Sequence, residues 1–528
     1  MSNSRLKHWL KRSAQALTGV RGLRRANRNA VPALLLGVFL MLCRREALAG
    51  VSAGPIFANF RLTLEAGLRT EILGPLFFSE QREETAQWAL PPLMSYTRDY
   101  GIDSVEFDVL YPGLTYDRFG GEYRFQILQL FNFAGGVKDG DTNKHRFSLF
   151  PIYLQQRSSD PSENYTSILP LYGRLKNRFF RDEVFYVLMP LYVETRKKDV
   201  ETINYVFPIF HLRHGEGLTG WQFWPIVGHE HKVPTLRTNS WGDEVPVPGH
   251  DRKFVLWPVF LNQRAGLGTT NEEHTQAVIP LYTFTRSPNR DATAIPFALG
   301  WSSVHDREKK YDELGAPWPF IVFRRGESAR TDRVWPFYSR ATNEFLESSW
   351  VLWPIYKYNR VHSDPLDRDR MRILLFLYSD TTERNTEIGN ARRRRDFWPL
   401  YTHRRDWEGN ERLQILAPLE PIIPNNKSIE RNYSPLWSVW RDEKNGKTGA
   451  RSQSLLWNLY RRDTATNSSK TAVLFGLIQR SSNADENHWR FFFWPQKKSA
   501  VPLEPTGSPQ TPAANRIPIE AKSASQAN

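Results

Sequence analysis

The sequence predicts an all-β protein, a long antiparallel up-and-down meander of about 22 strands closed into a large β-barrel. Three observations predict it. An apolar phrase of the form Leu/Val–aromatic–Pro–Leu/Ile–Tyr/Phe recurs along the chain. Polar, turn-forming stretches separate its copies. After the first 50 residues there is no sustained i, i+3, i+4 apolar stripe of the kind a helix needs.

The N-terminus reads as a leader. Residues 1–31 are basic, with Arg21, Arg24, Arg25 and Arg28 close together. The 13-residue apolar run "VPALLLGVFLMLC" follows, then "RREALAG", which sets Ala47 and Ala49 as small residues at a cleavage site. This order predicts a secretory signal peptide over 1–49, cleaved after Ala49. The run is too short to cross a bilayer as a helix. The only cysteine, Cys43, falls inside the leader, where Leu42 before it is a poor fit for lipidation. A mature chain without cysteine has no disulfide, thiol nucleophile, Cys-ligated zinc or iron–sulfur cluster.

The formal charge of +15 is concentrated in the same segment. Residues 1–49 hold ten Lys/Arg and one acidic residue, leaving 61 Lys/Arg against 55 Asp/Glu beyond. A nearly balanced mature chain argues against a nucleic-acid partner. Beyond the leader, 50–70 is a candidate plug or periplasmic piece. Residues 71–495 form the repeat β-barrel domain, with a polar insertion at 230–253. The Pro-, Ala- and Ser-rich residues 496–528 read as a disordered tail.

Aligning the repeat on its proline places pivots at Pro75, Pro92, Pro112, Pro151, Pro170, Pro190, Pro208, Pro225, Pro258, Pro280, Pro296, Pro319, Pro336, Pro354, Pro399, Pro418, Pro435 and Pro495. Phe131, Phe376, Asn458 and Gly476 keep the frame in four further units. Spacings are 16 to 23 residues except across the insertion. Each unit reads as one strand of about 10 residues crossing the pivot, joined by stretches such as "RSSDPSEN" and "RDEKNGKTG". Short connections favour antiparallel neighbours. A parallel β-helix would have tighter, more uniform corners, and a propeller would group strands in fours.

An open sheet of this size leaves exposed edges, which closure removes. Positions flanking the pivot, such as Trp353 and Ile355, are apolar, while the alternate face runs from Leu352 and Pro354 to Arg360. One apolar and one mixed face suit lipid outside and a lumen inside. The apolar stretch is short for a spanning strand, and mid-strand prolines remove hydrogen bonds. A ring of β-bulges at the pivots would reconcile the two, giving a waisted barrel.

The phrases "LWPIYKYNR", "FWPLYTHRR" and "VWPFYSR" resemble those of uncharacterised secreted bacterial proteins with repeated aromatic-Pro-Leu-Tyr strands. The resemblance covers roughly 71–495. It implies an all-β envelope protein and no particular activity.

Arg98, Arg118, Arg157, Lys176, Arg196, Arg264, Arg286, Arg325, Arg360, Arg405 and Arg441 recur six residues after the pivot, as candidate pore-lining basic rings near each mouth. Pro170, Tyr172, Pro190, Tyr192, Pro354, Tyr356, Pro399 and Tyr401 form a candidate constriction band. His229 and His231 of "GHEHK" are too few to hold a metal without a third ligand such as His211 or His214. Asp99, Asp103, Glu106, Asp108 and Asp117 read as loop charges, and "RRRRD" at 392–396 as a solvated turn. No Walker loop, nucleophile elbow or dinucleotide fingerprint is present in the sequence. The expectation is a non-enzymatic outer-membrane β-barrel of a Gram-negative-type bacterium, acting as a pore, transporter or secretion component with an anion preference. It would need no cofactor or metal, and its partners would be outer-membrane lipid, the barrel-insertion machinery and an unidentified cargo. The alternative is a secreted or periplasmic all-β repeat protein that binds polysaccharide or envelope partners through aromatic surfaces.

Overall fold

The computed structural model describes residues 52–492 apart from 55, 138–140, 142, 240, 296–299, 328 and 484–486. The expected signal peptide, Cys43, Pro296, Pro495 and the tail 496–528 lie outside the described residues. The described chain is all-β, and its strands form one 43-stranded sheet beside a separate two-stranded one. Pairing is antiparallel throughout and follows chain order, as an up-and-down meander requires.

The strand count departs from the expected 22 because the repeat is a hairpin. At Pro354 the chain neither continues nor bulges. It reverses between the strands Leu346–Val351 and Tyr356–Ser363. Pro258 likewise sits between Gly249–Val255 and Phe260–Leu267. Most pivots from Pro92 to Pro399 follow a cis peptide bond, the bond found at the third position of a type VI turn. The ring of mid-strand bulges is therefore corrected to a row of tight turns. Strands are typically six residues long, as in Ser104–Val109 and Ala329–Val334.

The pivot turns depart from ordinary turn chemistry. Leu110, Leu188, Leu256 and Leu352 have φ of 43°, 45°, 48° and 48°, in the left-handed region where Gly or Asn is the easy choice. Each turn closes on itself and also bonds to the next. Ile355 N donates to Leu352 O (2.7 Å), Leu352 N to Phe337 O (2.6 Å) and Trp353 N to Pro336 O (2.9 Å). The same pattern recurs where Val206 N meets Leu191 O and Phe207 N meets Pro190 O, both at 2.7 Å. The prolines' missing N–H groups fall at the sheet edge, and the carbonyls of Pro170, Pro190, Pro225, Pro336 and Pro399 accept from the neighbouring turn.

Turns alternate between the two edges. The pivot turns form one edge, the proline edge. The charged connections form the other, the polar edge, where Asp141 accepts from Ser159 N (2.9 Å) and Asn143 N (2.8 Å). The segment 50–70, a candidate plug, contributes Phe57–Arg61 and the start of Gly67–Ile72 to the main sheet. The insertion at 230–253 folds its centre into the separate hairpin Thr235–Thr238 with Glu244–Val247.

One connection breaks the pattern. Between Glu411–Ile415 and Trp440–Lys444 lie two short helices, α1 (Lys427–Asn432) and α2 (Ser434–Trp437). Asn426 caps α1 by accepting from Ile429 N (2.9 Å). Pro418 and Pro435, expected as two strand pivots, both belong to this segment, and Pro435 lies in α2. No strand pair closes the sheet among the described residues. Ser52–Ala53 pairs with Phe57–Arg61, and Asn487–Phe491 with Ile478–Asn483.

Candidate functional site: a polar inner face and an apolar edge

Register assigns every side chain to one of two faces, because directly opposed residues point the same way. Near the start, Glu71, Phe78, Ala89, Ser95, Asp108 and Thr115 share a face. Near the end, Gln414, Arg441, Ser454, Arg461 and Ala472 lie on that same face when the register is followed through every strand. These two stretches meet. Arg461 stacks on the Phe60 ring at 3.5 Å, and Asn458 Nδ2 donates to Glu71 Oε2 at 2.5 Å. Asn445 Nδ2 ties the polar edges by donating to Thr63 O and Leu64 O, each at 3.1 Å. The sheet thus turns this face inward, and its two ends close on each other face to face as a seam.

The seam is charged. Arg69 donates to Glu71 (2.7 Å) and Glu80 (2.5 Å), all three buried. Burial alone would raise the Glu80 carboxyl, but Arg69 and Arg82 more than offset it and hold it below the usual carboxylate range. Where the two layers separate, α1 fills the gap. Arg431 reaches across to Glu106 (2.5 Å) and Asp108 (3.1 Å), while Asn432 Nδ2 also donates to Asp108 (3.1 Å). The buried Glu420 carboxylate fixes the segment by accepting from Gln414 Nε2 (2.7 Å), Ser434 Oγ (2.5 Å) and Trp437 Nε1 (3.0 Å). A cavity of about 390 Å3 remains between the layers, lined by Arg69, Glu80, Glu106, Arg412, Arg441 and Arg461 among others. Arg441 faces it with Nε buried and without a partner. Burial, then Arg412 and Arg69, lower its guanidinium to about 10.

The expected site residues fall elsewhere. Of the candidate pore-lining residues, Arg441 alone shares the inner face. Arg98, Arg118, Arg157, Lys176, Arg196, Arg264, Arg286, Arg325, Arg360 and Arg405 each sit one residue out of phase with an inner-face neighbour, hence on the outer face. Six residues past a turn is always the polar-edge end of a strand, so they form one row outside the sheet, not two rings within it. Several are paired there, Arg118 with Asp103 at 2.7 Å and Arg360 with Asp367 at 3.0 Å. In the constriction band, Pro170, Pro190, Pro354 and Pro399 are proline-edge turns. Tyr172, Tyr192, Tyr356 and Tyr401 begin the strands that follow, also on the outer face. There Tyr172, Tyr192 and Tyr401 belong to aromatic ladders, while Tyr356 lies between Val351 and Ile373. Tyr172, Phe185, Tyr192, Tyr205 and Phe210 run in unbroken contact with centroids 5.5 to 6.0 Å apart.

Two other expectations change. Glu106 and Asp108 are seam ligands of Arg431, which no local spacing signals because the partner lies more than 300 residues away. "RRRRD" is part of the strand Ala391–Phe397, with Arg393 on Asp380 (2.6 Å) and Arg394 on Asp396 (2.7 Å). His229 pairs with Asp251 (2.7 Å) and His250 with Glu230 (2.6 Å). Among the described residues no group of three or more His, Cys, Asp or Glu is placed to hold a metal, and no helix is long and apolar enough to cross a membrane. Comparison with known protein families and with curated proteins finds no match to this chain.

Proposed function

We propose that the protein is a membrane-seated β-conduit of the bacterial envelope, in the outer membrane, and that it acts as a pore, transporter or secretion component. The observation that carries this reading is the polar seam and its cavity set against the aromatic outer ladders. Charged and small polar side chains such as Glu80, Ser95 and Asp108 lie inward near the sheet ends, while the same face buries the apolar cluster of Leu154, Tyr165, Leu175, Val184, Tyr186 and Val193 further along. The outer face carries aromatic ladders that lead to an apolar edge, an arrangement that suits lipid at that edge and a wet passage at the seam. In this reading the barrel is completed by the face-to-face seam, with α1 and α2 as its internal stop. Arg412, Arg441 and Arg461, which line the cavity, support a preference for anions. Purified protein added to planar bilayers tests the proposal. Stepwise conductance with an anionic reversal potential supports it, and the absence of conductance across repeated reconstitutions overturns it.

A second reading is supported by strand length. Six residues span about 20 Å, less than the 9–11 residues of a tilted membrane strand. A repeat protein that binds envelope glycans through its outer aromatic ladders fits that fact, and binding to purified cell-wall or lipopolysaccharide fractions in the absence of conductance would favour it.

A further inference from the structure

We propose that the proline edge is a lipid-inserting edge, which enters the acyl layer of a single membrane leaflet edge-on while no strand crosses the bilayer. The inference rests on the membrane seating proposed above and names its surface, its partner and its depth, but it replaces the bilayer-spanning conduit with a chain seated on one leaflet.

Side-chain chemistry is the first support. The turn from Leu352 to Ile355 contains no polar side chain, and its Trp353 is 51% exposed. Leu256 and Trp257 repeat this three Trp-Pro turns earlier, and Leu188 and Met189 do so earlier still. A row of such tips along one edge is a continuous exposed apolar surface, which marks an interaction site.

The backbone is the second support, and the stronger one. A loop ordinarily cannot enter hydrocarbon because its N–H and C=O groups lose water without replacement. Here the N–H of Leu352, Trp353 and Ile355 are all donated within the edge, to Phe337, Pro336 and Leu352 carbonyls. Pro354 has no N–H to satisfy. Trp257 N to Pro225 O (2.6 Å) and Leu256 N to Ile226 O (2.6 Å) repeat the arrangement. The N–H groups of the edge are thus already donated without water, which removes the donor half of the cost of placing this backbone against lipid.

Conformation is the third. Leu188, Leu256 and Leu352 hold left-handed φ while roughly half exposed. A bulky residue in that region is strained, and burial within the protein does not offset the strain. Gly or Asn would fold more easily. Leucine is explained if the position must be apolar toward something outside the chain.

The outer face sets the depth. Starting at the proline edge, the rung Val351/Tyr356 is apolar, the next is Ser349/Tyr358 and the next Glu347/Arg360. Two residues of strand advance about 7 Å, so the turn and first rung make an apolar layer of about 10 Å. That matches interfacial insertion of about 5–10 Å and falls well short of the ~25 Å band of a spanning barrel. Tyr192 and Tyr358 point their hydroxyls to Glu194 (3.0 Å) and Asp369 (2.9 Å), apolar ring and polar tip meeting as at a headgroup boundary.

The test uses the full mature chain and phosphatidylcholine vesicles. A triple variant, Leu188→Asn, Leu256→Asn and Leu352→Asn, places a residue that tolerates left-handed φ at each site, so folding is preserved. Vesicle partition should fall about tenfold or more while the thermal midpoint holds or rises. Environment-sensitive fluorophores at Ile355→Cys and at the polar-edge Glu387→Cys, in a chain lacking other cysteines, should report lipid at the first position and water at the second. Unchanged partition in the triple variant overturns the proposal. So does lipid shielding between the edges with the two labels on opposite sides of the vesicle, which would leave the conduit standing. Shielding of Ile355→Cys without vesicles, from edge-to-edge pairing of two copies, also overturns it. One-leaflet binding without bilayer conductance supports the insertion and defeats the conduit.

Discussion

Replacing Arg431 by Met tests whether the two ends of the meander are held face to face by a buried ionic contact. Arg431 meets Glu106 at 2.5 Å and Asp108 at 3.1 Å, and the Arg431 and Asp108 side chains are 7% and 3% exposed. Removing one partner of a buried pair typically costs about 3–5 kcal/mol, because the other charge is stranded. Two features place this case at the lower end. Asp108 keeps Asn432 Nδ2 (3.1 Å) and Ser95 Oγ (3.3 Å), and Glu106 is partly solvated. The expected loss is therefore about 3 kcal/mol. It should be local, since hairpins elsewhere in the sheet do not touch the seam. Hydrogen exchange at Lys427–Asn432 and Ser104–Val109 should accelerate about a hundredfold, while strands near Tyr192–Lys197 keep their protection. The combined variant Glu106→Gln, Asp108→Asn, Arg431→Met removes all three charges and should recover most of the loss. Exchange at both segments within about threefold of wild type in the single variant would refute the seam as described.

Glu420→Ala strands the donors of Gln414, Ser434 and Trp437 and should destabilise the α1–α2 segment by about 3 kcal/mol, visible as proteolysis within 418–438 before the sheet is cut. Glu80 is ionised more readily folded than unfolded, so its stabilisation is full above the unfolded value of about 4.3 and is lost as pH falls through the lower folded value. The stability gap between wild type and Glu80→Gln should be widest near neutrality and shrink in acid, and a pH-independent gap contradicts the assignment. Leu352→Asn relieves a left-handed leucine and should raise stability in detergent-free buffer by about 0.5 kcal/mol, whereas a drop would show that Leu352 packs within the protein. Under the conduit reading, Arg441→Met removes a buried cation that lines the cavity near Glu443 and Glu71 and should leave folding intact while moving the bilayer reversal potential toward cations. Arg360→Ala, on the outer face, should leave that potential at the wild-type value.

The repeat, the antiparallel meander and the absence of long helices were legible because apolar phrases and polar connections alternate at a regular spacing. The doubled strand number was not. Turns are read from Gly, Asn and Asp, and here Leu352, Trp353 and Ile355 occupy a turn. Their apolarity suits what they face and says nothing of their φ, so the phrase reads as strand. The basic recurrence at Arg360 and its equivalents was correct as a spacing and misplaced as a surface. Halving the strand changes which edge and which face a position six residues past the pivot occupies. The helices escaped because α1 has only six residues and Pro435 mimics the pivot. The seam was beyond reach, since Arg431 and Glu106 are joined by the meeting of distant parts of the sheet and by nothing in their neighbourhood.

The lateral bonding of turn to turn has a last consequence. Each hairpin touches its two neighbours, so stability accrues as a sum of nearest-neighbour terms, and an internal hairpin does not register how many others exist. The chain takes stock of its own length at the seam, where contacts such as Arg461 on Phe60 and Arg431 on Asp108 join its two ends. Gain or loss of a whole hairpin keeps every face and edge in phase and alters only the circumference that the seam must close. Gain or loss of a single strand would turn the rest of the molecule inside out. The single hairpin is thus the natural increment by which such a chain could lengthen or shorten in evolution, with the seam as the gauge that decides which lengths survive.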